Sequence, residues 1–230
     1  MRTISCSCGG QNVCIQSVPI FNHLDMNEMK KIASASQHYL YEKGEWLTHP
    51  DDESEQLYIV YNGAVKVYRL SENGKEQVIR ILYSGDFTGD ISLFAGTPSD
   101  YFAEALEPSR ICVIDRSSLE MFIENYPKIG LKMIKSYTLR LEATEKQLSD
   151  LTAEHIDTRL ANYLLNQIKR EENHTIHLKL SKKDLASFLG TTPETLSRKL
   201  GQFQQAGWIE LIENKTIHVK DQNALETIET

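Results

Sequence analysis

Thr192-Pro193-Glu194-Thr195-Leu196-Ser197-Arg198 is the stretch on which the reading of this chain turns. Threonine is a good N-cap, proline suits the first helical position and glutamate complements the positive end of the helix dipole, so these residues predict a helix that starts at 193. Glu194, Ser197 and Arg198 then fall at i, i+3 and i+4 and share one face. All three residue types pair with base edges: Arg with guanine O6/N7, Glu with cytosine N4, Ser with several edges. Just upstream, Ser181-Lys182-Lys183-Asp184-Leu185-Ala186-Ser187-Phe188-Leu189-Gly190 predicts a first helix with Leu185, Phe188 and Leu189 inward and Gly190 as its C-cap. Helix, short Gly-containing turn, helix is the helix-turn-helix pattern.

A surface αα-hairpin with a Glu–Arg ion pair would share that pattern, and the flanks separate the two readings. Ile176, Leu178 and Leu180 alternate before the first helix. After Ala206-Gly207-Trp208, the runs Ile209-Glu210-Leu211 and Thr216-Ile217-His218-Val219 alternate around Glu213-Asn214-Lys215. A helix-turn-helix between short strands is a winged helix. Lys179, Lys182, Lys183, Arg198 and Lys199 gather around it and, with Thr192, Glu194 and Ser197, form the expected double-stranded DNA contact set. Phosphate contacts from these lysines imply a marked salt dependence. The net charge of −7 opposes indiscriminate capture of nucleic acid by a global positive field and leaves room for a local patch.

With 230 residues and 40% hydrophobic composition, the chain suits two modest domains. No apolar run approaches the ~20 residues needed to cross a bilayer. The N-terminus lacks the layout of a secretion signal, so a cytoplasmic protein without a membrane partner is expected. From Tyr39 to Asp115, short runs such as Gln56-Leu57-Tyr58-Ile59-Val60-Tyr61 and Ala64-Val65-Lys66-Val67-Tyr68 are separated by Gly44, Asn62-Gly63, Asn73-Gly74 and Ser84-Gly85-Asp86. Turns at this interval predict a double-stranded β-roll. Pro127 to Ala153 reads as one long helix in which Ile134, Tyr137, Leu141, Thr144, Leu148 and Leu151 follow a 3, 4, 3, 4, 3 rhythm. That is the spacing of a coiled-coil seam, and also of a helix packed on its own β-domain; a seam between a sensor and a DNA reader fits a homodimer on a palindrome. The expected architecture is α+β: a Cys-rich segment at 1–20, a β-roll sensor domain at 21–116, a dimerisation helix at 117–153 and a winged helix-turn-helix domain at 154–230.

This order of parts, with Gly85-Asp86-Phe87-Thr88-Gly89-Asp90-Ile91-Ser92-Leu93-Phe94 and Tyr101-Phe102-Ala103-Glu104-Ala105-Leu106-Glu107, resembles the CRP/FNR family of bacterial transcription regulators over nearly the whole chain. Glu194, Ser197 and Arg198 resemble the recognition triplet of the FNR branch, which implies a TTGAT-like half-site in an inverted repeat. The resemblance also implies contacts to RNA polymerase. Members that bind cAMP grip its phosphate with an Arg followed by Ser or Thr; Thr97-Pro98-Ser99-Asp100-Tyr101 has no cation there, and a carboxylate repels a phosphodiester, which speaks against cAMP.

Cys6, Cys8 and Cys14 crowd into the first fourteen residues, and Cys112 is distant. Clustered thiols in a cytoplasmic protein point to a metal or redox site, and four thiolates are what a 4Fe-4S cluster requires. The resemblance implies the same set, because FNR-type oxygen sensors hold a cluster with three N-terminal cysteines and a fourth after an Ala-Leu-Glu segment, as Cys112 follows Ala105-Leu106-Glu107. Cys6-x-Cys8 departs from the family's two-residue spacing. A dithiol/disulfide switch, a zinc site with His23 as a spare ligand, and inert thiols stay open beside the cluster. An enzyme is not expected: Tyr39 to Asp115 offers His49 alone as an imidazole, and no G-x-S-x-G, Walker or H-E-x-x-H arrangement occurs. A metal or redox module without DNA targeting is the remaining alternative.

Overall fold

The computed structural model describes residues 2–3, 16 and 18–229 apart from 53–54, 154 and 213–214, with the backbone alone for 147–153 and 229. Its contacts divide the chain into two units, Met1–Arg140 and Leu141–Thr230. In the first, strands β1 (Arg2–Thr3), β2 (Gln37–Tyr41), β3 (Trp46–Thr48), β4 (Gln56–Asn62), β5 (Val65–Leu70), β6 (Glu76–Leu82), β7 (Phe87–Thr88), β8 (Phe102–Ala105) and β9 (Ser109–Asp115) form two antiparallel sheets. Their orders are β1-β2-β9-β4-β7 and β3-β8-β5-β6. This is the double-stranded β-roll, and the turn glycines Gly44, Gly63, Gly74 and Gly85 all take the left-handed φ that their turns need.

The central strands β4 and β9 of the five-stranded sheet are covered on both faces, which is why their middles read as apolar runs. Tyr58, Val60, Ile111 and Val113 point into the core between the sheets. Leu57, Ile59, Cys112 and Ile114 point the other way, into a second core shared with Val18, Ile20, Phe21 and the helices. Those helices are α1 (Met26–Ala35), α2 (Asp90–Ala95), α3 (Arg116–Asn125) and α4 (Lys128–Ala153). The β-roll reading passes over α1, although Asp25 and Glu28 announce it with a reciprocal capping box. The single helix expected at 117–153 is two. Asp115 caps α3 through Ser118 N–H, α3 stops at Asn125, and Pro127, which cannot donate to a preceding turn, separates it from α4.

In the second unit α5 (Ile156–Glu171), β10 (Thr175–His177), α6 (Lys182–Phe188), α7 (Pro193–Gln205), β11 (Ile209–Ile212), β12 (Thr216–Val219) and α8 (Gln222–Glu226) make a winged helix-turn-helix. The sheet order is β10-β12-β11. The alternation expected through Leu180 ends at His177; Leu178 and Leu180 are buried outside the strand, with Leu178 N–H donating to Lys215 O at 2.8 Å. Leu185, Leu196, Leu200, Phe203, Ile217 and Val219 are all buried. No described helix is long and apolar enough to cross a membrane.

Candidate nucleic-acid interface

α6 and α7 are set by their caps. Ser181 Oγ accepts from Asp184 N–H at 3.1 Å at the start of α6. At its end Gly190 takes φ 64°, and Thr191 N–H returns to Ala186 O at 2.9 Å, which turns the chain sharply into the next helix. Thr192 Oγ1 then accepts from Thr195 N–H at 3.2 Å, and Pro193 opens α7. With Leu196, Leu200 and Phe203 fixing the inner face, Glu194, Ser197 and Arg198 are left exposed together on the outer one. The Glu194 carboxyl is held below the usual carboxylate range by its own backbone N–H at the open helix end and by the Thr192 hydroxyl. It is an acceptor at neutral pH, the state needed to receive a cytosine amino group.

The lysines divide. Lys182 and Lys183 are exposed on the first turn of α6. Lys199 departs from its expected role as a phosphate contact: its Nζ donates to Asp157 Oδ2 of α5 at 2.7 Å, with the lysine side chain 19% exposed. One residue on from Arg198 is about 100° round the helix, enough to turn Lys199 from the outer face to the packed flank. Asp157 carried no sequence signal, because it lies forty-two residues away.

In the expected seam, Ile134 and Leu141 are 62% and 60% exposed, and Thr144 is exposed as well. Tyr137 departs from the seam. Its ring meets Phe87 edge-on at 5.8 Å and lies beneath the Arg140 guanidinium, so it packs on its own unit, and burial raises its phenol pKa. The side chains of Leu148 and Leu151 lie outside the described residues.

Of the cysteines, Cys6, Cys8 and Cys14 lie outside the described residues. Cys112 is 1% exposed on β9, with Sγ 3.2 Å from His38 Nδ1 across the β2–β9 pair. Among the described residues no three His, Cys, Asp or Glu side chains are grouped to hold a metal. The thiol set nevertheless suits an iron–sulfur cluster in kind, and Cys112 opens into the core that Val18, Ile20 and Phe21 share. No local pattern marks His38, because it meets Cys112 only through the β2–β9 register, seventy-four residues away in sequence.

Asp100, the residue that speaks against cAMP, accepts from Arg69 Nη2 at 2.6 Å on the surface. Nearby, a group centred on the buried Asp90 is assembled from α2, α4, β6, β7 and the bend before β8. Asp90 Oδ2 is 3.0 Å from Arg140 Nη1, Asp90 Oδ1 is 3.9 Å from Arg80 Nη2, and Thr88 Oγ1 lies 2.9 Å from the Tyr101 hydroxyl.

Family comparisons agree with this layout. The Crp-like helix-turn-helix domain matches residues 158–228, and the cyclic nucleotide-binding domain matches residues 40–126. The chain is 31% identical over 197 residues to the probable transcriptional regulator flp of Lacticaseibacillus casei, covering 86% of this chain and 90% of that protein. The chain belongs to the CRP/FNR family. It is 28% identical over 193 residues to the fumarate and nitrate reduction regulatory protein of Salmonella typhimurium, covering 81% of this chain and 76% of that one. Among solved structures, FixK2 from Bradyrhizobium japonicum superposes with a TM-score of 0.75 at 26% identity, over 84% of this chain and 96% of that one. This CRP/FNR chain is therefore a DNA-binding transcription regulator and not an enzyme.

Proposed function

We propose that the regulator reads a TTGAT-like inverted repeat as a homodimer and that its grip on this site follows oxygen or redox state through Cys6, Cys8, Cys14 and Cys112. The observation that carries the DNA reading is the exposed Glu194, Ser197 and Arg198 face at the capped start of α7. The guanidinium suits guanine O6/N7, the carboxylate cytosine N4 and the hydroxyl a third edge. Arg198→Ala is expected to cost about 1–3 kcal/mol of operator binding and to relax specificity at one base pair, measured by fluorescence anisotropy at fixed salt. Wild-type affinity in that variant would return the face to ordinary surface. The exposed Ile134 and Leu141, in register with Thr144, support the dimer, and RNA polymerase is the partner that the family implies.

The four cysteines would hold a 4Fe-4S cluster, and when bound it supplies an oxygen-labile crosslink among them. The chain's own residues supply the path onward. Val18, Ile20 and Phe21, just after the cysteine segment, pack in one core with Ile129 and Met133 of α4. Lys132 Nζ donates to Pro19 O at 3.2 Å and to Asn22 Oδ1, tying that stretch to the same helix. A change in how the cysteine segment is held thus acts on α4, the helix that carries Ile134 and Leu141. By the rule that a ligand shifts an equilibrium only through its differential affinity, the dimer geometry follows whichever state the thiols favour.

A second reading, a dithiol/disulfide switch or a zinc site, has an observation of its own in the His38 imidazole against the Cys112 thiol. Cys and His are the common zinc ligands. Protein purified without air is expected to be brown and to bleach on exposure. A colourless protein that carries zinc, or whose free thiols fall and recover reversibly, supports the second reading. A Cys112→Ser variant whose operator binding still changes fully with air would sink both.

A further inference from the structure

Gly201 stands inside α7, and nothing among the described residues of its unit calls for a glycine there. Every other described glycine except Gly130 has a positive φ, a conformation in which side chains are strained. Gly130 has Ile123 Cγ2 3.5 Å from where a Cβ would stand, whereas at Gly201 a Cβ would meet no atom within 4 Å. Glycine is the least favourable helix residue after proline, so this helix carries a standing penalty with no internal return.

Its position supplies a reason. Gly201 follows Glu194 by seven residues, and Ser197 and Arg198 by four and three, so all four lie on one stripe, opposite Leu196, Leu200 and Phe203. A helix with its side chains is about 10–12 Å across and the major groove is about 12 Å wide, which leaves little clearance. Seven residues also advance the axis by about 10 Å, from the base-reading end of the helix towards the groove wall.

We infer that Gly201 is the point of closest approach between α7 and its operator, with the sugar–phosphate backbone filling the space into which a Cβ would project. This rests on the reading that the Glu194, Ser197 and Arg198 stripe faces DNA. The missing side chain sets how deeply the recognition helix seats, and so whether those three side chains reach the base edges.

The test uses the full-length protein and a duplex carrying a palindromic TTGAT repeat. Gly201→Ala is expected to melt about 2–4 °C higher, because alanine favours the helix, and yet to bind the duplex at least ~10-fold more weakly, because an added methyl at a close contact must push the DNA away. Gly201→Leu is expected to bind more weakly still. An alanine variant with wild-type affinity overturns the inference, as does one that melts lower, which would reveal a packing role inside the protein. Arg198→Ala separates the two levels. If it weakens binding while Gly201→Ala does not, only the close-approach role falls; if Arg198→Ala binds as the wild type does, the reading beneath it falls.

Discussion

Asp90→Ala is expected to destabilise the N-terminal unit by about 3–5 kcal/mol, the usual cost of removing one partner from a buried charge pair. Its side chain is 6% exposed, and it is the carboxylate towards which Arg140 and Arg80, themselves 27% and 22% exposed, both turn. Burial, and then the positive charge of Arg140, already hold the Arg80 pKa down. Without the carboxylate the two guanidiniums would face each other, with Arg80 left its bond to Thr88 Oγ1 and Arg140 its bond to Phe87 O. Arg140 also caps the rings of Phe87 and Tyr137, so the loss would loosen α4 from the β-roll. Urea unfolding in a Trp208→Phe background, with Trp46 reporting on this unit, measures the effect. An unchanged midpoint would show that the remaining hydrogen bonds suffice. Asp90→Asn keeps an acceptor for the arginines and is expected to lose less.

Phe203→Ala is expected to cost the winged-helix unit about 3–5 kcal/mol, the range for emptying a buried aromatic site. The ring is 2% exposed, lies 5.1 Å from that of Trp208, and sits on the inner face of α7, away from the DNA-facing stripe. For a unit of this size that is a large share of its stability, so operator binding should fall with the folded fraction and recover on cooling. Trp208 fluorescence follows the transition. Weakened binding in a variant that still melts like the wild type would mean that Phe203 acts on the DNA face directly.

Asp90 and Phe203 differ in how far local sequence specifies their surroundings. The inner face of α7 was readable because Leu196, Leu200 and Phe203 repeat at helical spacing and the Thr192-Pro193 cap fixes where the count begins. The exposure of Glu194, Ser197 and Arg198 followed from the same count. The Asp90 group was not readable, since Arg80 comes from β6 and Arg140 from α4, and nothing local to Asp90 distinguishes it from a surface carboxylate. Lys199 shows the same limit on a smaller scale: its charge placed it with the DNA contacts, and Asp157 of α5 takes it away.

Local rules acting over one or two turns, the caps, the glycine turns and the periods of 2 and 3.6, determined from sequence that this chain builds a β-roll, a long helix and a winged helix-turn-helix. Tertiary structure alone decided which side of a doubly buried strand receives Cys112, that His38 stands against it, that Tyr137 turns into its own core, and which lysines remain at the surface. Each of those outcomes is a pairing between residues far apart in the chain, set by strand order and helix packing rather than by any residue's immediate neighbours.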